Sequence, residues 1–285
     1  MRNVRNFLMC LGGVVLLTAC NNQDGFTDEE IENALKDVNV IDETNLNEVM
    51  LSAADPNEAV SYFQNVAAQN PDRIDLQRGL AISLVRAKKP RLAANAWERV
   101  LTMPGANNED RVEYADALIR SNQWPEAEAE LDKIPPTHET YKRYRLEAMV
   151  ADSNKEWKKA DSFYEIAVEL TTTPSGTLNN WGYSNLTRGN FPEAERLFSQ
   201  ALSIDPSMFT AKNNLVLARA AQRKYDMPVV PMTQIERAQL LYTAALSAIK
   251  QGDVAIGKSL LQDAIDTHPQ HFDAAVRSLE ALESA

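Results

Sequence analysis

Two thiols, three imidazoles and some closely spaced carboxylates are the side chains here that could do chemistry. The imidazoles belong to His138, His268 and His271. The last two enclose Pro269 and Gln270, and no Cys, further His or clear carboxylate partner lies beside them, so the spacing reads as surface imidazole rather than a metal site. Glu29 with Glu30, and Glu126 with Glu128 and Glu130, fall at polar helical positions where carboxylates solvate a face. No Gly-x-Ser-x-Gly elbow, Walker loop, Rossmann glycine pattern or His-Glu-x-x-His occurs. The sequence argues against catalysis and implies no cofactor and no metal.

The thiols are different. Arg2 and Arg5 precede an apolar run from Phe7 to Leu17, and Leu17-Thr18-Ala19 leads directly into Cys20. A basic segment, a short apolar segment and small residues make the order of a secretory signal. Leu-Thr-Ala-Cys resembles the lipobox of exported bacterial lipoproteins, which implies cleavage after residue 19 and lipidation of Cys20. The run is too short to span a bilayer, and several acyl chains, each adding about 0.8 kcal/mol per buried methylene, make a lasting anchor. Asn21 in place of Asp favours, by resemblance to enterobacterial sorting, the periplasmic face of the outer membrane. Loss of Arg2 and Arg5 takes the net charge from −11 to −13, and with no compensating basic cluster nucleic acid is not an expected partner. Cys10 leaves with the signal and Cys20 is acylated, so packing rather than disulfides must hold the mature chain.

An alanine column identifies the elements that carry everything else. Ala59, Ala93, Ala127, Ala160 and Ala194 are spaced 34, 34, 33 and 34 apart, and Gly257 continues the column after an interval of 63. Four residues beyond each stands Phe63, Trp97, Leu131, Tyr164, Phe198 or Leu261. Seven beyond stands Val66, Val100, Ile134, Ala167, Ala201 or Ala264. A helix puts i, i+4 and i+7 on one face, so each unit contains a helix with a small, large, apolar stripe. Coiled coils repeat every seven residues and would not reproduce this column.

Helix pairs repeating at 34 residues resemble tetratricopeptide repeats. The match is carried in 175–208 by Leu178, Trp181, Gly182, Gly189, Ala194, Phe198, Ala201 and Pro206, with Asn185 in place of the usual Tyr. In 238–271 it is carried by Leu241, Ala244, Ala245, Gly252, Gly257, Leu261, Ala264 and Pro269. The resemblance implies an all-α, right-handed superhelical solenoid of helix-turn-helix repeats. The expected organisation is a signal peptide over 1–19, a lipid anchor and tether over 20–27, and the solenoid over 28–285 with a capping helix at 272–284. Thr27 and Glu30 make a capping box for a first helix to about Lys36. The seven residues before it reach roughly 25 Å at most, which keeps the solenoid near the membrane. Pro206 and Pro269 should end their helices and suit the first turn of the next.

Around 224–233 the repeat breaks, with Pro228 and Pro231 where a second helix should begin and five residues missing from the unit. Two readings stand open: a degenerate repeat that bends the superhelix, or a partner-specific loop exposing Met227, Val229, Val230 and Met232.

Tetratricopeptide superhelices use the inner faces of their first helices as a groove for an extended peptide or partner helix. By that resemblance the groove positions are Lys142, Arg145 and Met149 in one unit, Asn179, Asn180, Tyr183 and Thr187 in the next, and Thr210, Asn213, Asn214 and Leu217 in the third. The duplicated Asn-Asn pairs lie 34 apart, and an amide both donates to and accepts from a peptide backbone. Alternatively the asparagines merely cap or hydrate their helices. Lys142, Arg143 and Arg145 form a basic patch able to meet an acidic partner segment.

Residues 175–283 further resemble the tetratricopeptide lipoproteins of tight-adherence (Tad/Flp) pilus assembly, TadD-like proteins, most distinctively in the tail from Ala238-Gln-Leu-Leu-Tyr242 to Thr267-His-Pro-Gln-His-Phe-Asp-Ala-Ala-Val-Arg-Ser-Leu279. That resemblance implies a pilotin-like factor that binds a secretin subunit or another pilus-assembly component and localises it to the outer membrane for multimerisation. A type IV pilus pilotin would share anchor and solenoid. An adaptor for cell-wall hydrolases or for outer-membrane barrel assembly would share them too.

Overall fold

A computed structural model describes residues 46–284. The expected signal peptide, lipidated Cys20, tether and Thr27 capping box lie outside the described residues. A helical stretch at 46–52 is followed by α1 (Pro56–Gln69), α2 (Ile74–Arg86), α3 (Pro90–Leu101), α4 (Asn108–Arg120), α5 (Trp124–Leu131), α6 (Tyr141–Ser153) and α7 (Trp157–Glu169). Then come α8 (Ser175–Thr187), α9 (Phe191–Ile204), α10 (Phe209–Ala220), α11 (Gln234–Lys250), α12 (Val254–Thr267) and α13 (Asp273–Glu283). No strand occurs among the described residues, and the helices pack pairwise along the chain as an all-α repeat solenoid.

The alanine column falls on the second helix of each pair: α1, α3, α5, α7 and α9, with Gly257 on α12. Ala59, Ala93, Ala127, Ala160 and Ala194 are completely buried. The large residues one turn on, Phe63, Trp97, Leu131, Tyr164, Phe198 and Leu261, are buried too. Each large side chain contributes on the order of 1.5–3 kcal/mol by leaving water. Two glycines of first helices make room for the rings. A Cβ on Gly79 would come within 2.3 Å of Phe63, and one on Gly182 within 2.7 Å of Phe198. The third column is less regular, because Val66 is half-buried and Ile134 lies beyond the end of α5, a helix of eight residues stopped before Pro135 and Pro136.

The corner between paired helices is equally regular. Lys88, Asn122, Lys155, Gly189, Arg223 and Gly252 all have positive φ, between 56° and 85°. The amide one residue later returns to the carbonyl five residues back, as in Lys89 N to Leu84 O and Asp253 N to Ala248 O. This is the hydrogen bond that closes a left-handed helix end. Proline in the first turn then starts α1, α3, α5 and α9, where its missing N–H costs nothing.

After α10 the corner at Arg223 forms, and the amide of Lys224 bonds Arg219 O, but no second helix succeeds it. The irregular unit is a first helix without its mate, so α10 packs directly against α11. The segment that replaces the helix is pinned by Arg219 to Asp226, by Arg223 and Tyr225 to Asp253, and by Lys224 to Glu195. Of the four apolar residues expected at its surface, only Val229 is fully exposed. Met227 and Met232 pack against the α11–α12 core, and Val230 against the α8–α9 core. Burial of three of the four side chains stands in for the missing helix.

Pro206 and Pro269 occupy the turns before α10 and α13 rather than the first turns of those helices, so they terminate without initiating. At the end of the chain Ala275 is buried, and Phe272, Leu279 and Leu282 pack onto the last core cluster. Arg277, Glu280 and Glu283 are exposed, as a cap requires.

Lys88 is held at φ 56°, a conformation in which its Cβ is crowded. Lys88→Gly should therefore raise unfolding stability by about 1 kcal/mol, and Gly252→Ala should lower it by about as much. Urea melts followed by circular dichroism measure both, and equal or reversed signs would remove corner strain as a determinant of stability.

Candidate functional site

The first helices α6, α8 and α10 lie side by side, and polar side chains tie them across each seam. Thr177 Oγ1 donates to Tyr141 Oη at 3.0 Å, and Ser184 Oγ to Asp152 Oδ1 at 2.6 Å. Asn180 Nδ2 sits 3.7 Å from Met149 Sδ. Asn214 Nδ2 donates to Asn179 Oδ1 at 3.1 Å, and Thr243 Oγ1 on α11 to Asn213 Oδ1 at 2.9 Å. The duplicated asparagines are thus ties between repeats, a role distinct from capping or hydration. Asn214 is only 7% exposed, so its amide is already committed.

Beside this ladder opens a concavity of about 490 Å³. Met149, Asn179, Asn180, Tyr183, Thr187, Thr210 and Asn214 line it, seven of the groove positions expected from the sequence. Tyr183 is 54% exposed and Thr187 and Thr210 are exposed. Lys142, Arg145, Asn213 and Leu217 do not line it. Five further residues do: Trp124, Trp157, Tyr164, Asp152 and Ser153. The two tryptophans enter because the left-handed corner turns the first residue of each second helix back toward the first-helix layer. A signal for them exists in the sequence, since Trp124, Trp157 and Phe191 stand three residues before the alanine column in consecutive units.

The basic patch expected near Lys142 is neutralised within the fold. Lys142 Nζ lies 2.6 Å from Glu113 and 3.1 Å from Asp116 on α4. Arg143 is buried, donating to Glu147 at 2.6 Å and to the carbonyls of Pro135 and His138. Among the described residues Arg145 has no carboxylate partner; it holds its guanidinium 5.5 Å from the Tyr141 ring centre, and its buried Nε bonds none of them.

Two carboxylates near the floor are driven in opposite directions. Burial raises the Asp152 pKa, and hydrogen bonds from Ser184 and Tyr164 offset this only in part. Burial also opposes ionisation of Asp161, but Arg188 and Trp181 Nε1 donate to it at 2.7 Å each and together hold its carboxyl below the usual range. Burial pushes the Tyr164 phenol upward. Among the described residues no cluster of His, Cys, Asp and Glu could hold a metal ion, and no helix is long and apolar enough to cross a membrane. The arrangement offers amides, hydroxyls and aromatic surface, which suits holding a chain.

Family models of the tetratricopeptide repeat match residues 78–138 and 179–226, and a second such model matches 239–271. No curated protein matches the chain. Among solved structures, the Cut9–Hcn1 hetero-tetramer of APC/C superposes with a TM-score of 0.59 at 13% identity over 83% of this chain. This chain spans about half, 48%, of that one. A tetratricopeptide repeat protein from Parabacteroides merdae superposes at 0.55 with 12% identity, covering 84% of this chain and 96% of its own. The C-terminal part of a repeat protein from Cytophaga hutchinsonii gives 0.51 at 15% identity, covering 82% and 98%. Tetratricopeptide repeats therefore occupy 78–138, 179–226 and 239–271, and the described residues form an all-α repeat solenoid.

Asp161→Asn removes a carboxylate whose lowered pKa makes its contribution present above the ordinary value near 4 and lost as acid protonates it. With that side chain 39% exposed, the loss at pH 7 should be only about 1 kcal/mol. Thermal melts should show this gap at pH 7 and its closure below about pH 4; a gap independent of pH would mean that packing, not charge, holds Arg188.

Proposed function

We propose that the protein is a lipid-anchored assembly factor of the bacterial outer membrane, acting as a pilotin for a Tad/Flp pilus secretin. The concave face grips an extended segment of the secretin subunit, and lipid on Cys20 carries that subunit to the periplasmic face of the outer membrane for ring assembly. The observation that carries this reading is the concavity shared by α6, α8 and α10, in which the exposed Tyr183, Thr187 and Thr210 stand beside aromatic surface. Backbone-directed hydrogen bonds together with apolar contact suit an extended chain of tolerant sequence. Leu17-Thr18-Ala19-Cys20 supports the anchor, and the short stretch before Thr27 supports binding close to the membrane. An anchor, a tether and a gripping surface together localise another protein.

Deleting the gene should leave secretin monomers mislocalised or degraded, with multimers at the outer membrane falling at least about tenfold. Restoring it with Asn180→Ala and Tyr183→Ala together should fail to recover multimers while keeping the helical spectrum, because both line the concavity outside the buried core and Asn180 gives up only its long contact with Met149 Sδ. Fractionated envelopes probed for the secretin measure both. Normal multimers in the deletion strain would sink the pilotin role, and co-purification with a cell-wall hydrolase instead would point to the adaptor reading.

A further inference from the structure

Among the described residues Asp152 carries the only carboxyl group lining the concavity, and no Lys, Arg or His lines it. Its Oδ1 accepts from Ser184 Oγ at 2.6 Å and its Oδ2 from Tyr164 Oη at 2.9 Å. Both donors are neutral, so they orient the carboxylate without cancelling its charge, and each oxygen retains acceptor capacity. Arg188, whose field reaches Asp152, is held by both oxygens of Asp161 at 2.7 and 2.9 Å. Arg188 is thereby paired with Asp161, and Arg145, whose field reaches the Tyr164 phenol, makes no ion pair with Asp152, so among the described residues no cation touches the Asp152 carboxyl.

The walls around that charge are aromatic. Trp124, Trp157, Tyr164 and Tyr183 line the space together with Met149. Electron-rich ring faces attract cations. The fold already uses one of these rings in that way, since the Arg188 guanidinium sits 5.4 Å from the Trp157 ring centre. Lys142 and Arg143, which would have favoured an acidic segment, are consumed by Glu113, Asp116 and Glu147. Arg145 precedes Asp152 by seven residues, about 10 Å of helical rise, and stacks on Tyr141.

From this geometry we propose that the concavity receives a basic side chain, arginine or lysine, projecting from the bound polypeptide, with its cation on the Asp152 carboxylate and its stem among the aromatic walls. This rests on the reading of the concave face as a polypeptide site and specifies the segment that the site selects. Arginine should be preferred over lysine, because a planar guanidinium both forks onto a carboxylate and stacks on a ring. The net charge of −11 over the whole chain also draws basic segments from a distance.

The test uses the full-length chain in detergent, labelled with 5-fluorotryptophan, and blocked pentapeptides Ac-Ala-Ala-X-Ala-Ala-NH2 with X as Arg, Lys, norleucine or Glu. Fluorine spectra report Trp124 and Trp157 at the site, and the buried Trp97 serves as reference. The Arg and Lys peptides should shift the Trp124 and Trp157 signals with Kd at least about tenfold below those of the norleucine and Glu peptides. In Asp152→Asn that difference should vanish. Equal titration by norleucine, or a preference that survives Asp152→Asn in a folded protein, would overturn the basic-side-chain assignment and leave the polypeptide site standing. If no peptide moves either tryptophan, the assignment falls, and the concave face as a site for short extended chains falls with it. Should Asp152→Asn not fold, the four-peptide comparison on the wild-type protein decides alone.

Discussion

Each pair of helices can approach only because one fixed station of the second helix carries almost nothing beyond its backbone. Ala59, Ala93, Ala127, Ala160, Ala194 and Gly257 hold that station, and the close approach they permit seals the large residue one turn away from water. The core is therefore a chain of small clusters, each shared between neighbouring units, rather than a single central mass. Stability in such an array comes from nearest-neighbour interfaces, so the last unit needs a helix with one wet face, which α13 supplies. Glycines answer the same demand from the other side, since Gly79 and Gly182 sit against rings that leave no room for a methyl group.

The second constraint is the corner. Six corners adopt the same left-handed turn although only Gly189 and Gly252 are glycine, so lysine, asparagine and arginine are held where their side chains disfavour it. Pairing of the flanking helices over-determines the conformation. Arg223 is informative because its corner forms with no second helix after it. The first helix and the returning amide suffice to make the turn, while Pro228 and Pro231 forbid a helix beyond it. Tyr225, Met227, Val230 and Met232 then cover the cores of two adjacent units, keeping the solenoid continuous across the gap.

In the concave layer, one set of polar groups serves two ends. Seams between first helices are closed by hydroxyl and amide ties instead of further leucines, which leaves some polar atoms committed and others facing open space. Asn214 and Ser184 belong to the first kind. Tyr183, Thr187 and Thr210 present exposed surface. The site's electrostatics come from the same division: cations of α6 are drawn to carboxylates of α4 and to Glu147, and Asp152 is left with neutral donors.

The spacing of Ala, large and apolar residues determined the helix pairs, their register, the capping helix and the place where the repeat fails, because a 34-residue column reflects a contact made identically in each unit. The resemblance to tetratricopeptide repeats, rather than the spacing, named the groove positions, and seven of them line one concavity. Tertiary structure alone decided which of those side chains remain available. Lys142 looks like a free cation in a string of residues and ceases to be so only when α4 arrives beside it, while Arg143, already within reach of Glu147 on its own helix, is buried by the 135–138 turn. Trp124, Trp157 and Asp152 join the site because corners fold back and α7 packs beneath α6. The physical reason is range: helical faces are set by residues three or four apart, whereas the ties Thr177 to Tyr141, Trp181 to Asp161 and Lys142 to Asp116 join residues 20 to 36 apart along the chain.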